Sequence, residues 1–103
     1  MKIPKTLKSL EVKKIWTEIT EAFELDESGL IVLKVALESY DRMIEARKIL
    51  DTEGLTIVTP SGQVKKHPAN EIEKTARAGF LMAWRMLNLN IDPPGAIGRP
   101  GGS

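Results

Sequence analysis

The chain has no cysteine and a single histidine among its 103 residues. The missing thiols exclude disulfides and thiolate metal sites. One histidine is also poor material for a metal cluster, which needs several ligands at helical spacing, as in H-E-x-x-H. Aromatics are few: Trp16, Phe23, Tyr40, Phe80 and Trp84. No apolar run approaches the roughly 18 residues that cross a bilayer, so no membrane association is expected. The start, MKIPKTLKSLEVKK, carries charge but no apolar core behind it, which does not read as a signal peptide. Neither G-x-x-x-x-G-K-[ST] nor G-x-G-x-x-G occurs, so a nucleotide-cradling loop is not supported. Nothing points to a nucleophile with a base and an acid around it. The expectation is a protein with no catalytic residue, no metal and no cofactor. His67, just before Pro68, reads as a cap or packing group at a helix start. Glu18, Glu21, Asp41 and Glu45 read as solvent-facing.

What is present is charge, unevenly placed, and helical periodicity. A chain of this length makes one domain with a modest core. Its net charge of +1 conceals two opposed regions. Residues 1–14 hold Lys2, Lys5, Lys8, Lys13 and Lys14 against Glu11, a net of +4. Residues 15–40 hold Lys34 against Glu18, Glu21, Glu24, Asp26, Glu27 and Glu38, a net of −5. Such polarity fits a nucleic-acid-facing arm or complementary packing between copies.

A first helix is expected from Ser9, as N-cap, to about Glu24, with Val12, Ile15, Trp16, Ile19 and Phe23 on one stripe. LDESG is a turn. A second and longest helix is expected from Glu27 to Glu53. Leu33, Ala36, Leu37, Tyr40, Met43 and Ile44 form its stripe, while Ile31, Val35, Ala46 and Ile49 fall partly outside. A helix apolar on more than one side is central in its domain or shared with a partner. Gly54 suits the left-handed end of that helix. Leu55–Thr59 and Gln63–His67 are β-prone around a Pro60-Ser61-Gly62 turn, giving a small hairpin. The third helix is expected to begin after Pro68, or with Asn70 as cap and Glu73 closing a capping box, and to run to about Asn88. Its second half is apolar nearly all round, from Phe80 to Leu87.

These elements give a mainly α fold: a three-helix core with a long central helix and a hairpin between helices two and three. The organisation is a basic arm at 1–8, a helical oligomerising domain at 9–90, and a Pro/Gly-rich flexible tail at 91–103. The apolar surplus predicts a ring-like homo-oligomer, with Tyr40, Phe80, Leu81, Trp84 and Leu87 at the contact between copies. Lys2, Lys5, Lys8, Lys13 and Lys14, with Lys65 and Lys66 of the hairpin, are the candidate DNA-binding residues. Phosphate contact needs only such charges, and several subunits would multiply it.

Four stretches in this order resemble the small subunit of phage terminase, a family of tailed bacteriophages and related prophages. They are the Trp-containing VKKIWTEITEAFEL, the long ALESYDRMIEARKIL closed by DTEGL, the turn TPSGQVKKHP with its His-Pro step, and the ending AWRMLNLNIDPP. Together they span about residues 10–94. Gly62 to Pro68 is the most telling part. Family members often finish with Leu-Gly-Leu-Thr-Pro and an Arg-containing segment. Here Leu87 to Pro93 reads LNLNIDP, and only Arg99 follows.

The resemblance implies a non-enzymatic component of DNA packaging in the host cell cytoplasm. Such a subunit forms a ring, binds double-stranded viral DNA near the packaging start, and recruits or regulates the large terminase subunit, which holds the ATPase and nuclease. Two other readings stay open: a small helix-turn-helix regulator binding DNA as a dimer, and a structural adaptor without a nucleic-acid role. Against the regulator, the second helix begins DESGLIVLKVALESY, acidic and apolar where base edges call for Arg, Lys, Asn or Gln.

Overall fold

The computed structural model describes residues 2–94. Three helices and one two-stranded hairpin follow in the order α1 (Leu10–Ala22), α2 (Glu27–Glu53), β1 (Thr56–Val58), β2 (Val64–Lys66) and α3 (Ala69–Leu87). The expected three-helix arrangement with a hairpin between the second and third is therefore present.

Each boundary has a local cause. Ser9 Oγ accepts the Val12 N–H at 3.1 Å and opens α1. That helix stops at Ala22, two residues before Glu24, because Phe23 turns extended. Phe23 and Leu25 then pack against the core. Asp26 accepts the Gly29 N–H at 2.8 Å and opens α2. At 27 residues, α2 is the longest element, about 40 Å at 1.5 Å per residue. Gly54, at φ 88°, ends it and turns the chain toward the hairpin. In the hairpin, Thr56 pairs with Lys66, Ile57 with Lys65 and Val58 with Val64. Gly62, at φ 87°, supplies the positive φ of its turn.

α3 begins directly after Pro68, the first of its two expected starts. Pro68 occupies the cap position and offers no side-chain bond. His67 does the capping instead, its Nδ1 accepting the Ala69 N–H at 3.0 Å. No Asn70–Glu73 capping box forms. Asn70 Nδ2 donates to the carbonyls of Leu55 and His67, and Glu73 pairs with Arg47 and Arg77. At the far end, Asn88 is left-handed at φ 52° and closes α3.

Helices α2 and α3 run antiparallel and form the main packing interface. Tyr40 meets Phe80 edge-on at 5.3 Å between ring centroids, and Phe80 stacks on Trp84 at 5.6 Å. Arg47 Nε and Glu73 Oε2, 3.0 Å apart, tie the pair further along. α1 lies across the Tyr40–Trp84 side and adds Val12, Trp16 and Ile19 to the core. Tyr40 OH donates to Glu11 Oε2 at 2.7 Å.

The expected contact between copies needs correction here. Tyr40 and Phe80 are fully buried and Trp84 is 5% exposed within one chain. Leu81 and Leu87 are partly buried against the same core. Tyr40, Phe80 and Trp84, enclosed by their own fold, have no surface to offer a second copy, whereas Leu81 and Leu87 stay part-exposed. One helix face does bury Phe80, Ala83 and Trp84, because α1 and α2 close over it from two directions.

Candidate nucleic-acid and subunit surfaces

The basic residues come from two places. Lys2, Lys5, Lys8 and Lys14 are exposed and Lys13 is half-buried. The leading segment is not a free arm along its whole length. Leu7 is buried in the core, and the Lys8 N–H donates to Asp41 Oδ2 at 2.8 Å. Asp41, expected to face solvent, instead fastens the start of α1 to the middle of α2. The Lys8 side chain borders a cavity with Glu38, Asp41, Arg42 and Glu45, so carboxylates dilute its field. Lys2 and Lys5 lie before the anchor, and Lys13 and Lys14 project about 100° apart on α1.

Lys65 and Lys66 are exposed on β2. Successive strand residues point to opposite faces, so the two lysines do not form one patch. Lys66 shares a face with Val58, Val64 and Thr56, whereas Lys65 lies opposite Ile57 on the other. The arm is anchored at Asp41 and the hairpin follows Glu53. Twelve residues of α2 separate these points, about 18 Å along the helix. The structure therefore brings the seven lysines into two separate groups rather than one.

The hairpin has a firm base. His67 Nδ1 accepts from Ala69 N–H, which leaves the ring proton on Nε2, and Nε2 donates to Glu53 Oε1 at 2.8 Å. The His67 N–H and Asn70 Nδ2 both donate to the Leu55 carbonyl at 2.9 Å. The end of α2, the foot of the hairpin and the start of α3 are thus held by one side-chain network. His67 acts here as a cap and a brace.

A second surface was not singled out in the sequence. Ser39 Oγ lies 3.6 Å from the position a Gly79 Cβ would take, so these two residues mark where α2 and α3 meet on the side away from α1. Val35 and Ile31 stand one and two turns before Ser39 on the same face of α2. Met82 and Met86 continue the Gly79 face of α3. Ile31 is 57% exposed, Val35 48%, Met82 65% and Met86 68%. Four large apolar side chains therefore share the open side of the α2–α3 pair. The signal was in the spacing: Ile31/Val35 and Met82/Met86 are both i, i+4 pairs off the buried stripes.

Among the described residues no group of three or more His, Cys, Asp or Glu side chains could hold a metal ion. No helix there is long and apolar enough to cross a membrane. The Tyr40 phenol holds its proton well above the ordinary tyrosine range. Burial is the larger cause, followed by the hydrogen bond to Glu11 and its negative charge.

The sequence model of the family described as "Phage terminase, small subunit" matches residues 11–93. The chain belongs to that family. The match begins at Glu11, within α1, and takes in α2, the hairpin, α3 and the turn after it. Membership supports a role connected with packaging, in a family whose small subunits are generally non-catalytic and work with DNA and a large subunit. No curated protein and no solved structure matches the chain.

Proposed function

We propose that this chain is the DNA-recognition and recruiting component of a terminase. It binds double-stranded viral DNA near the packaging start and brings the large subunit to it, in the host cell cytoplasm. It works as a ring-like homo-oligomer larger than a dimer and has no catalytic site of its own. The family match over residues 11–93 carries this reading.

The open side of the α2–α3 pair supports the oligomer. An apolar surface of this kind, rimmed by polar residues, marks an interaction site. The contact between copies is accordingly placed at Ile31, Val35, Met82 and Met86. The helix-turn-helix alternative is disfavoured by the same helix: α2 shows Glu27, Ile31 and Val35 to solvent in its first turns, and none of these is an Arg, Lys, Asn or Gln, the usual bidentate readers of base edges.

DNA is held mainly by Lys2, Lys5, Lys8, Lys13 and Lys14, with the hairpin lysines second. Repeated around an oligomer, even a weak basic patch gives useful avidity. Binding is then electrostatic, and each lost phosphate contact lowers the salt slope by about 0.9 for duplex DNA. Replacing Lys5, Lys8, Lys13 and Lys14 together with Ala should weaken duplex binding and flatten its salt dependence, with native mass unchanged. Unaltered affinity and slope in that variant would remove the arm from the DNA surface.

A further inference from the structure

The hairpin stands out from the bundle with all six of its strand residues exposed. A lone two-stranded hairpin is marginal in water. This one places Val58 and Val64 side by side on one face, 71% and 68% exposed, with Lys66 next to them. Residues 55–67 contain Lys65 and Lys66 and no acid. Neither lysine has an ion-pair partner among the described residues.

The opposite end of the α2–α3 pair has the complementary character. Beside Met86, the turn into α2 lines a cavity of about 370 Å³ with Glu24, Asp26, Val32 and Leu87. Residues 24–33 hold Glu24, Asp26 and Glu27 and no base. Asp26 caps α2, while Glu24 and Glu27 make no ion pair among the described residues. This acidic end continues into the open apolar face at Ile31, Val35, Met82 and Met86.

We propose that the hairpin of one copy docks on the open face of the next. Val58 and Val64 cover Met82 and Met86, and Lys66, on the same hairpin face, lies against Glu24 and Glu27, while Lys65 points away from the contact. The inference rests on the homo-oligomer reading and adds which surfaces meet. It commits to a second copy of this chain for three reasons. Each surface pairs an apolar centre with unpaired charge, and the two charges are opposite. One chain cannot satisfy both by itself, since Ile31 and Glu53 are 22 residues apart on a straight helix, about 33 Å. The network of Glu53, His67 and Asn70 also fixes the direction of the hairpin beforehand, which lowers the ordering cost of docking. Because the two surfaces differ, the contact is head-to-tail. Such contacts close into rings when the rotation allows.

The test is charge reversal in the full chain, read by sedimentation mass, with circular dichroism to check folding. Lys65→Glu with Lys66→Glu should weaken association at least tenfold and move the mass toward a single chain. Glu24→Lys with Glu27→Lys should do the same, with the Asp26 cap left intact. The restoring arm is all four changes in one chain, which should regain the wild-type mass. An unchanged mass in the hairpin variant overturns the docking while leaving the oligomer reading in place. If that variant keeps its mass but loses DNA affinity, the hairpin belongs to the DNA surface instead. Failure of the fourfold variant to regain mass overturns the charge pairing. A wild-type protein that sediments as one chain overturns the oligomer reading and the docking with it.

Discussion

The two sides of the α2–α3 pair have similar apolar content and different fates. On one side Tyr40, Phe80 and Trp84 lie beneath α1 and are closed to solvent. On the other, Ile31, Val35, Met82 and Met86 are left about half exposed or more by the described residues. The aromatic side holds its rings at fixed centroid distances and has a buried phenol bonded to Glu11. The open side carries flexible methionines, which adapt to a partner's shape. Hydrophobicity alone therefore does not identify a subunit contact. What separates the core from the exposed apolar face here is which groove the short first helix fills.

Breaking the covered side should have the largest effect. Phe80→Ala removes the ring between Tyr40 and Trp84 and should cost about 3–5 kcal/mol. Met82→Ala on the open side should change the stability of the single chain by no more than about 0.5 kcal/mol. Urea unfolding of both at low protein concentration makes the comparison. Equal losses would mean that the two sides are not distinct.

Tyr40 gives a smaller and more specific probe. Tyr40→Phe removes the hydrogen bond to Glu11, a charged acceptor exposed enough to rehydrate, and should cost about 1.5 kcal/mol. The pH dependence has a definite sign. Folded Tyr40 keeps its proton more tightly than an unfolded tyrosine, which ionises near pH 10. Its contribution is therefore complete below about pH 10 and declines as pH rises beyond that value. Melting temperatures between pH 8 and 11 should fall for the wild type and less for Tyr40→Phe. Parallel curves would mean that Tyr40 is not the group responsible.

His67→Ala should have a smaller effect on stability than Tyr40→Phe, about 1 kcal/mol for a lost helix cap. It should also loosen the hairpin from Glu53 and the start of α3. Amide exchange at Thr56–Val58 and Val64–Lys66 would show this as faster exchange, and unchanged rates would place the brace elsewhere. If the hairpin docks on the open side, the same variant should associate more weakly than its stability loss alone explains.

Much of the architecture was legible because its signals are local. The LDESG turn before an apolar-periodic stretch and Gly54 after it bound α2 at Glu27–Glu53 as expected. Ser9 marks the start of α1 in the same way. His67 was legible as a cap at the start of α3, but the alternative capping box misled: Asn70 and Glu73 have its spacing, yet Asn70 turns to Leu55 and Glu73 to Arg47. Both partners are distant in sequence, and spacing within one helix cannot reveal them. The site residues divide along the same line. The exposed lysines follow from charge alone. The assignment of Tyr40, Phe80 and Trp84 to a contact between copies failed because it required knowing which side of α3 the first helix covers. The i, i+4 pairs Ile31/Val35 and Met82/Met86 were visible, yet nothing local marks them as uncovered. Arg99, in the expected C-terminal tail, lies outside the described residues.

The claim that one side of the α2–α3 pair is core and the other is contact is tested most directly by the native mass of Met82→Glu/Met86→Glu beside the wild type. Sedimentation equilibrium at high micromolar concentration should give a wild-type mass above that of a dimer. The variant should fall toward the mass of one chain, with its helical circular dichroism and urea midpoint retained. A wild type at the mass of one chain, or a variant that keeps the full assembly, would contradict the account.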